Sequence, residues 1–135
     1  MKVTIQSKIA ADRSKVWDLY TGPEHIVNWN FASEDWCCPS AENDLVVGGK
    51  YKARMEARDG SFGFDLEATY ESITPGKDFV FIMADGRKVE VSMDDEKAAT
   101  NVTIVFDAET ENPIDMQRDG WQSILDNFKR YVEKH

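Results

Sequence analysis

Long hydrophobic runs are missing from this sequence of 135 residues. No stretch approaches the roughly 18 consecutive apolar residues that a membrane helix needs. The start, MKVTIQSKIAADR, also lacks the apolar stretch and small-residue cleavage site of a secretory signal. We therefore expect a cytoplasmic protein without a membrane partner.

Cysteine is scarce, since Cys37 and Cys38 are the only two and they are adjacent. A bridge between neighbouring cysteines would close no useful loop and would strain the peptide between them. We expect both thiols to be reduced. Positive charge is also in deficit: 16 Lys and Arg stand against 25 Asp and Glu, a formal net charge of −9. That charge opposes partners held mainly through phosphates, so nucleic acid is not expected.

The common motifs of catalysis and metal binding are absent too. The sequence has no G-x-S-x-G elbow and no glycine loop that would cradle a phosphate. His25 with Cys37 and Cys38 is the only set that resembles metal ligands or a nucleophile and its base, and adjacent cysteines seldom ligate one ion together. We expect no metal and no cofactor.

What the sequence does contain is the hydrophobic pattern of one domain over residues 1–135, with 41% hydrophobic and 30% charged residues. Alternation over residues 2–9 predicts a strand. Asp12 is a suitable N-cap for a short helix that ends at Gly22, and Pro23 suits the first turn of a second. Residues 28–44 are predicted to be irregular, although they carry several aromatic side chains.

An antiparallel meander is predicted after a bend at Gly48-Gly49. Residues 50–58 and 62–70 alternate on either side of Asp59-Gly60, which directs Tyr51, Met55, Phe62, Phe64 and Leu66 inward. Asp85-Gly86 predicts a two-residue hairpin loop. That loop pairs Ile82 with Val89 and Val80 with Val91 and turns these four side chains inward. A further strand covers residues 102–107.

The chain ends in a pattern of three- and four-residue spacing that predicts one amphipathic helix. Asn112 and Pro113 are expected to begin this helix, and Trp121 and Leu125 lie on its apolar face. Six strands and a long terminal helix must cover one another. We therefore predict an α+β helix-grip fold: a curved antiparallel sheet of about six strands wrapped around the C-terminal helix, with two short helices after strand one.

Several segments resemble one known family. The runs KVWDLYTGPEHIVNWN, GGKYKARM, DGRKVEV, TNVTIVFDAE and GWQSILDNFKRYVE are similar, in order and over essentially the whole chain, to the activator of heat-shock-protein ATPase homologue family. This family belongs to the START and birch-pollen-allergen-like (SRPBCC) superfamily. The resemblance implies a cavity between the sheet and the last helix. Its eukaryotic co-chaperones bind their chaperone largely through an additional amino-terminal domain, and stand-alone members resemble ligand-binding or cyclase-like proteins.

The aromatic side chains make a cavity plausible on the residues themselves. Gly120 interrupts the terminal helix at a cost of about 1 kcal/mol relative to alanine, directly before Trp121, which suggests space or close approach there. The Tyr51 hydroxyl and the indole nitrogens are candidate polar contacts. The residues expected to line the cavity are Trp29, Trp36, Tyr51, Met55, Phe64, Leu66, Ile82, Val91, Trp121 and Leu125.

The leading hypothesis is that the cavity binds a small hydrophobic or aromatic molecule. Two alternatives remain open. One is a cyclase- or hydrolase-like enzyme in which Tyr51 or a polar residue serves as general acid or base, and a charged side chain in the cavity would favour it. The other is an interaction protein that contacts a chaperone through a basic stripe formed by Lys50, Lys52, Arg54 and Arg58; a homodimer also remains open.

Overall fold

The structure, a computed structural model, describes residues 1–135. Its seven strands form one antiparallel sheet, and its long last helix lies against the curled inner face of that sheet, which confirms the predicted helix-grip class. The elements are β1 (Lys2–Ile9), α1 (Arg13–Thr21), α2 (Pro23–Ile26), β2 (Trp36–Asn43), β3 (Lys50–Ala57), β4 (Gly63–Thr74), β5 (Asp78–Met83), β6 (Lys88–Glu96), β7 (Ala99–Asp107) and α3 (Ile114–Glu133). The strand order is β1-β7-β6-β5-β4-β3-β2.

The first elements form where the local pattern predicts them. The apolar residues of β1 are buried and alternate with exposed polar ones. Asp12 Oδ1 accepts a hydrogen bond of 2.8 Å from the Lys15 amide, so the predicted N-cap of α1 is confirmed. α1 ends before Gly22, and α2 begins at Pro23. These helices close one end of the sheet before the chain returns to it.

The strand β2 lies within residues 28–44, which the sequence predicted to be irregular; that prediction is wrong for its second half. The segment WCCPSAEN does not alternate, and its register with β3 shifts between Cys37 and Ser40, around Pro39. Proline has no N–H to donate to a ladder, so it is tolerated at bulges and on edge strands. β2 is an edge strand that pairs only with β3. The sheet therefore gains a seventh strand.

The β5–β6 hairpin differs from the prediction by one residue. The Met83 amide donates to the Arg87 carbonyl at 2.8 Å, so the loop has three residues, 84–86, rather than two. Gly86 has a φ of +91°, the left-handed conformation that the last position of such a loop requires. A glycine at that position therefore serves the longer loop as well as the shorter one.

This change of register reverses the two faces of β5, because successive side chains of a strand point to opposite sides of the sheet. Val80 and Ile82 were predicted to point inward, and they lie on the outer face instead. The inward side chains of β5 are the three that were expected outside. The observed pairs are Phe79 with Val91 and Phe81 with Val89, and Met83 completes the inward row.

The helix α3 packs its apolar face across the inner side of the sheet, next to β1. Phe128, which is fully buried, has its ring 4.8 Å from that of Trp29 and 5.0 Å from that of Tyr20. Such tilted and edge-on contacts are favourable for aromatic rings. None of the helices has the length and apolar character that crossing a membrane requires.

The start of α3 is fixed by a glutamine rather than by the predicted Asn112 cap. Pro113 occupies the capping position and no side chain caps the helix. Gln117 Oε1 accepts from the Glu109 amide at 2.9 Å, and its Nε2 donates to the Asn112 carbonyl at 2.8 Å. These bonds hold the β7–α3 connection against the first turns of the helix.

Candidate ligand-binding cavity

A cavity of about 220 Å³ lies between the inner face of the sheet and α3. Strands β3 to β7, helices α1 and α3, and the segment after α2 all contribute to its walls. Thirteen of its fifteen lining residues are hydrophobic, so apolar contact dominates its surface. The lining residues are Tyr20, Trp29, Asn30, Tyr51, Met55, Phe64, Leu66, Phe81, Met83, Arg87, Val89, Ile104, Trp121, Ile124 and Leu125.

Seven of the ten residues predicted to line a cavity are in its walls. Strand alternation and the helical stripe, read from the sequence, account for most of them. A Cβ atom added at Gly120 would meet nothing within 4 Å, so this glycine borders open space and no backbone approaches it closely. The seven residues are Trp29, Tyr51, Met55, Phe64, Leu66, Trp121 and Leu125.

The other three lie elsewhere. Ile82 is on the outer face of the sheet because of the β5 register described above. Val91 points inward and is 1% exposed, but it is packed in the core and does not border the cavity. Trp36 lies on the edge strand β2, where its ring is 6.0 Å from that of Phe62 and 6.2 Å from that of Phe64.

These three rings, Trp36, Phe62 and Phe64, form an aromatic rim. The sequence predicted that both phenylalanines would point inward, yet Phe62 is 60% exposed and Phe64 is 42% exposed. Phe64 nevertheless reaches the cavity wall. The rim therefore continues the apolar surface of the cavity outward to solvent.

Eight lining residues were not among the predicted ones. The sequence could have placed Arg87 in the wall, because Arg87 precedes the inward Val89 by two residues and so shares its face of the sheet. Tyr20 lies on α1, and nothing in its position connected it with a cavity. Asn30 follows the end of α2, and no hydrophobic periodicity indicates that its side chain is buried. The others are Phe81, Met83, Val89, Ile104 and Ile124.

Two polar side chains meet inside the cavity wall. Asn30, which is 5% exposed, has its Nδ2 3.3 Å from the hydroxyl oxygen of Tyr51, which is 6% exposed. With the amide in this orientation Asn30 donates, so the Tyr51 hydroxyl hydrogen and Asn30 Oδ1 have no protein partner. No fully buried side-chain nitrogen or oxygen is unpaired. Asn30 Oδ1 therefore retains accessible surface, and Asn30 borders the cavity.

Tyr20 adds a third polar group to this region. Its ring packs against Trp29, Phe79 and Phe128, with centroids 4.9 to 6.0 Å apart, and its hydroxyl makes no hydrogen bond to the protein. Burial, and then the nearby Tyr70 hydroxyl, raise the pKa of Tyr20 well above its usual value. Tyr20 still retains accessible surface and borders the cavity. Its hydroxyl therefore has no hydrogen-bond partner in the protein and keeps some accessible surface.

Tyr51 and Tyr70 are also held in the neutral form. Burial is the main cause that raises the pKa of Tyr51, and the neighbouring Tyr20 and Tyr70 hydroxyls add to it. Burial raises the pKa of Tyr70 to about 12, although its hydrogen bond to Asn43 opposes the shift. Tyr70 does not border the cavity. Its hydroxyl donates to Asn43 Oδ1 at 2.7 Å. All three phenols are therefore protonated at neutral pH.

The one charged residue in the wall is Arg87. Its side chain is partly exposed, and its Nε donates to Asp85 Oδ2 at 2.7 Å. It also borders an adjoining surface depression that contains Glu109 and Glu111. The backbone of Tyr51 is separated from that of Arg87 by three strand spacings along the sheet, from Tyr51 to Ala68, then to Met83 and to Arg87, or roughly 14 Å. The two side chains therefore enter the cavity wall from positions three strand spacings apart.

The cysteines and His25 lie outside the cavity. His25 Nδ1 is 2.7 Å from the Tyr131 hydroxyl and makes no contact with either cysteine that would pair a nucleophile with a base. Burial, and then neighbouring Cys37, raise the pKa of Cys38 to about 11. No three His, Cys, Asp or Glu side chains converge as metal ligands would.

The chemistry of the wall favours binding over proton transfer. It contains no carboxylate, imidazole or thiol, and its tyrosines are protonated at neutral pH. Arg87 is a charged side chain in the cavity wall of the kind that would favour the enzyme hypothesis, but a guanidinium does not release its proton in proteins. What the cavity offers is an apolar, partly enclosed volume with hydrogen-bonding groups at one side.

Comparisons with known proteins place this geometry among related chains. A family model described as Activator of Hsp90 ATPase homolog 1-like protein matches residues 10–133. None of the curated proteins matches the chain.

Solved structures with the same fold are numerous. The solution structure of an AHSA1-like protein from Aeromonas hydrophila is 43% identical, with a TM-score of 0.93 over 99% of this chain and 93% of that one. A protein from Cytophaga hutchinsonii is 38% identical, with a TM-score of 0.86 over 98% of this chain and 92% of that one. A crystal structure from Chromobacterium violaceum shares the fold at 19% identity, with a TM-score of 0.86 over 98% of both chains.

Proposed function

Because the chain belongs to the family of Activator of Hsp90 ATPase homolog 1-like proteins, within the SRPBCC superfamily, we propose that it binds a small hydrophobic or aromatic molecule in the cavity between the sheet and α3. The observation that carries the proposal is the 220 Å³ cavity with its apolar wall. This fold commonly binds hydrophobic ligands. Residues 1–135 would form one ligand-binding domain.

The size of the cavity supports occupation by a ligand. Side chains that line a cavity of about 220 Å³ lack packing partners on one side, so a ligand that fills it gains contacts with them. An apolar cavity of about 150 Å³ already accepts benzene. A molecule with one substituted ring or two fused rings would restore much of the missing contact. It would also exclude water from the Asn30–Tyr51 pair.

The test uses naphthalene as the probe and the tryptophan indole N–H signals as the readout. Trp29 and Trp121 border the cavity, whereas Trp17 and Trp36 do not. In ¹H–¹⁵N spectra, naphthalene should shift the indole signals of Trp29 and Trp121 saturably and leave those of Trp17 and Trp36 nearly unchanged. Equal small shifts of all four signals would contradict binding in this cavity.

A filling substitution provides the second half of the test. Met55→Trp places a large side chain in the cavity and should weaken naphthalene binding at least tenfold. Met116→Trp is the matched control, because Met116 is 62% exposed on α3 and does not border the cavity. If Met55→Trp disturbs folding, Leu66→Phe fills the same space with a smaller change. Unchanged affinity in a folded filling variant would refute the proposal.

A chaperone contact through the basic stripe has less support. Arg54 Nε donates to Glu56 at 2.8 Å, and its guanidinium is 3.5 Å from Asp65, so interleaved carboxylates neutralise part of the stripe. We place the proposed activity in the cytoplasm, where thiols such as those of Cys37 and Cys38 stay reduced.

A further inference from the structure

We propose that the ligand is an uncharged aromatic alcohol or phenol, whose hydroxyl group binds to the Asn30–Tyr51 pair while its ring fills the apolar part of the cavity. This inference rests on the proposed function and names the ligand class. It depends on three features: the hydrogen bonds that the pair leaves free, the absence of a cation beside it, and the volume and aromatic lining of the cavity.

The Asn30–Tyr51 pair offers both a donor and an acceptor. With Asn30 Nδ2 donating to the Tyr51 oxygen at 3.3 Å, the phenol hydrogen and Asn30 Oδ1 are both free. If the amide is turned, Tyr51 donates to Asn30 and the amide N–H groups become free instead. In either orientation the pair can complete its bonds with one group that both donates and accepts. A hydroxyl group has this property, whereas an ionised carboxylate only accepts.

The electrostatics at this side of the cavity disfavour an anion. Tyr20 is the third polar group there, and it is neutral, so no positive charge stands beside the pair. Arg87 belongs to a backbone position roughly 14 Å along the sheet from that of Tyr51, and its guanidinium is already bonded to Asp85. A carboxylate placed at the pair would lose its hydration without gaining a partner of opposite charge. The protein's net charge of −9 adds to the repulsion.

The rest of the cavity fits a ring. Six of the fifteen lining residues are aromatic, and among them Trp121 and Phe81 have rings in aromatic contacts of their own, which keeps their positions fixed. A volume about one and a half times that of a benzene-sized cavity suits a substituted ring or two fused rings. Longer chains would have to extend past the aromatic rim into solvent.

Three matched probes test the inference: 2-naphthol, naphthalene and 2-naphthoate at pH 7. They share a ring system and differ in the group that the Asn30–Tyr51 pair would meet. Titration calorimetry, or the indole signals used above, should show 2-naphthol binding roughly tenfold more tightly than naphthalene, the effect of one or two neutral hydrogen bonds. 2-Naphthoate should bind more weakly than 2-naphthol.

Two tyrosine variants assign the preference to a position. Tyr51→Phe should bring the affinities for 2-naphthol and naphthalene to within about twofold of each other, because it removes the hydroxyl that would bond to 2-naphthol. Tyr70→Phe is the control, because Tyr70 is an equally buried phenol that bonds to Asn43 outside the cavity. If Tyr51→Phe is poorly folded, Asn30→Leu removes the other member of the pair.

The outcomes separate this inference from the function on which it rests. Equal binding of naphthalene and 2-naphthol, with no effect of Tyr51→Phe, would overturn the alcohol preference and leave a hydrophobic binding protein. Tighter binding of 2-naphthoate would overturn it in favour of an anion held by Arg87. If none of the three probes binds, the proposed function itself fails.

Discussion

The stacked pair of Trp121 and Phe106 allows a quantitative prediction for the cavity wall. Their ring centroids are 4.1 Å apart with an interplanar angle of 9°, and Phe106 is fully buried. Replacing a fully buried tryptophan by alanine costs about 3–5 kcal/mol, and Trp121 is partly buried. One side of Trp121 faces the cavity and lacks packing partners there, so we expect Trp121→Ala to cost about 3 kcal/mol, near the lower end of that range.

Urea denaturation and thermal unfolding both measure this loss. For a domain of this length, about 3 kcal/mol corresponds to a fall in melting temperature of roughly 12 °C. Trp121→Phe retains a ring over Phe106 and is the control, with an expected loss of about 1 kcal/mol. The alanine variant should also bind naphthalene more weakly, because it opens the wall to water. A loss below about 1 kcal/mol in Trp121→Ala would refute the reasoning.

Two further predictions concern ionisable groups. Asp107 accepts hydrogen bonds from Lys2 Nζ and from the Lys88 amide, both at 2.9 Å, and these bonds lower its pKa. The contribution of Asp107 to stability is therefore present above a pH of about 4. It is lost as the pH falls through the lowered pKa. Asp107→Asn should therefore reduce the acid dependence of the unfolding free energy below pH 4, and identical pH profiles in urea titrations would contradict this. Burial and neighbouring Cys37 raise the pKa of Cys38 to about 11. At pH 8 a thiol-specific disulfide reagent should therefore modify one thiol of the folded chain, that of Cys37. In urea the same reagent should modify both thiols. Rapid modification of Cys38 in the folded protein would count against the buried position.

The parts of the fold that could be predicted are those whose local signals agree. β1 alternates cleanly, Asp12 and Pro23 mark helix starts, and α3 has an unbroken apolar stripe. For β1, α1 and α2 the side-chain pattern and the end signals give the same boundaries, whereas α3 was predicted by its apolar stripe, since its predicted Asn112 cap does not form. Tertiary packing did not change the type of these predicted elements.

The β5–β6 hairpin shows where such signals become ambiguous. Both faces of FVFIM are apolar, so burial does not distinguish one register from the next. Asp85-Gly86 fits a two-residue loop and also the end of a three-residue loop. The choice is made by contacts distant in sequence, since Phe79 packs on Trp17 and Tyr70, and Phe81 packs on Tyr51. Ile82 was consequently assigned to the wrong face.

The edge strand β2 was missed for a different reason. Pro39 and the bulge beside it remove the alternation that identifies a strand, and β3 alone supplies its pairing. With β2 in place, Trp36 lies at the aromatic rim rather than in the cavity wall. The aromatic residues could be identified in the sequence, but the strand that positions them could not be predicted.

The candidate site was less predictable than the fold because its apolar wall and its polar groups have different origins. The wall belongs to the same inward faces that form the core, so periodicity finds Met55, Leu66 and Leu125 without any knowledge of a ligand. The polar groups come from three separate places: Tyr20 on α1, Asn30 after α2 and Tyr51 at the start of β3. No spacing relates them, and only the folded chain brings them together. It follows that chains with the same apolar pattern can share this fold and still select different ligands.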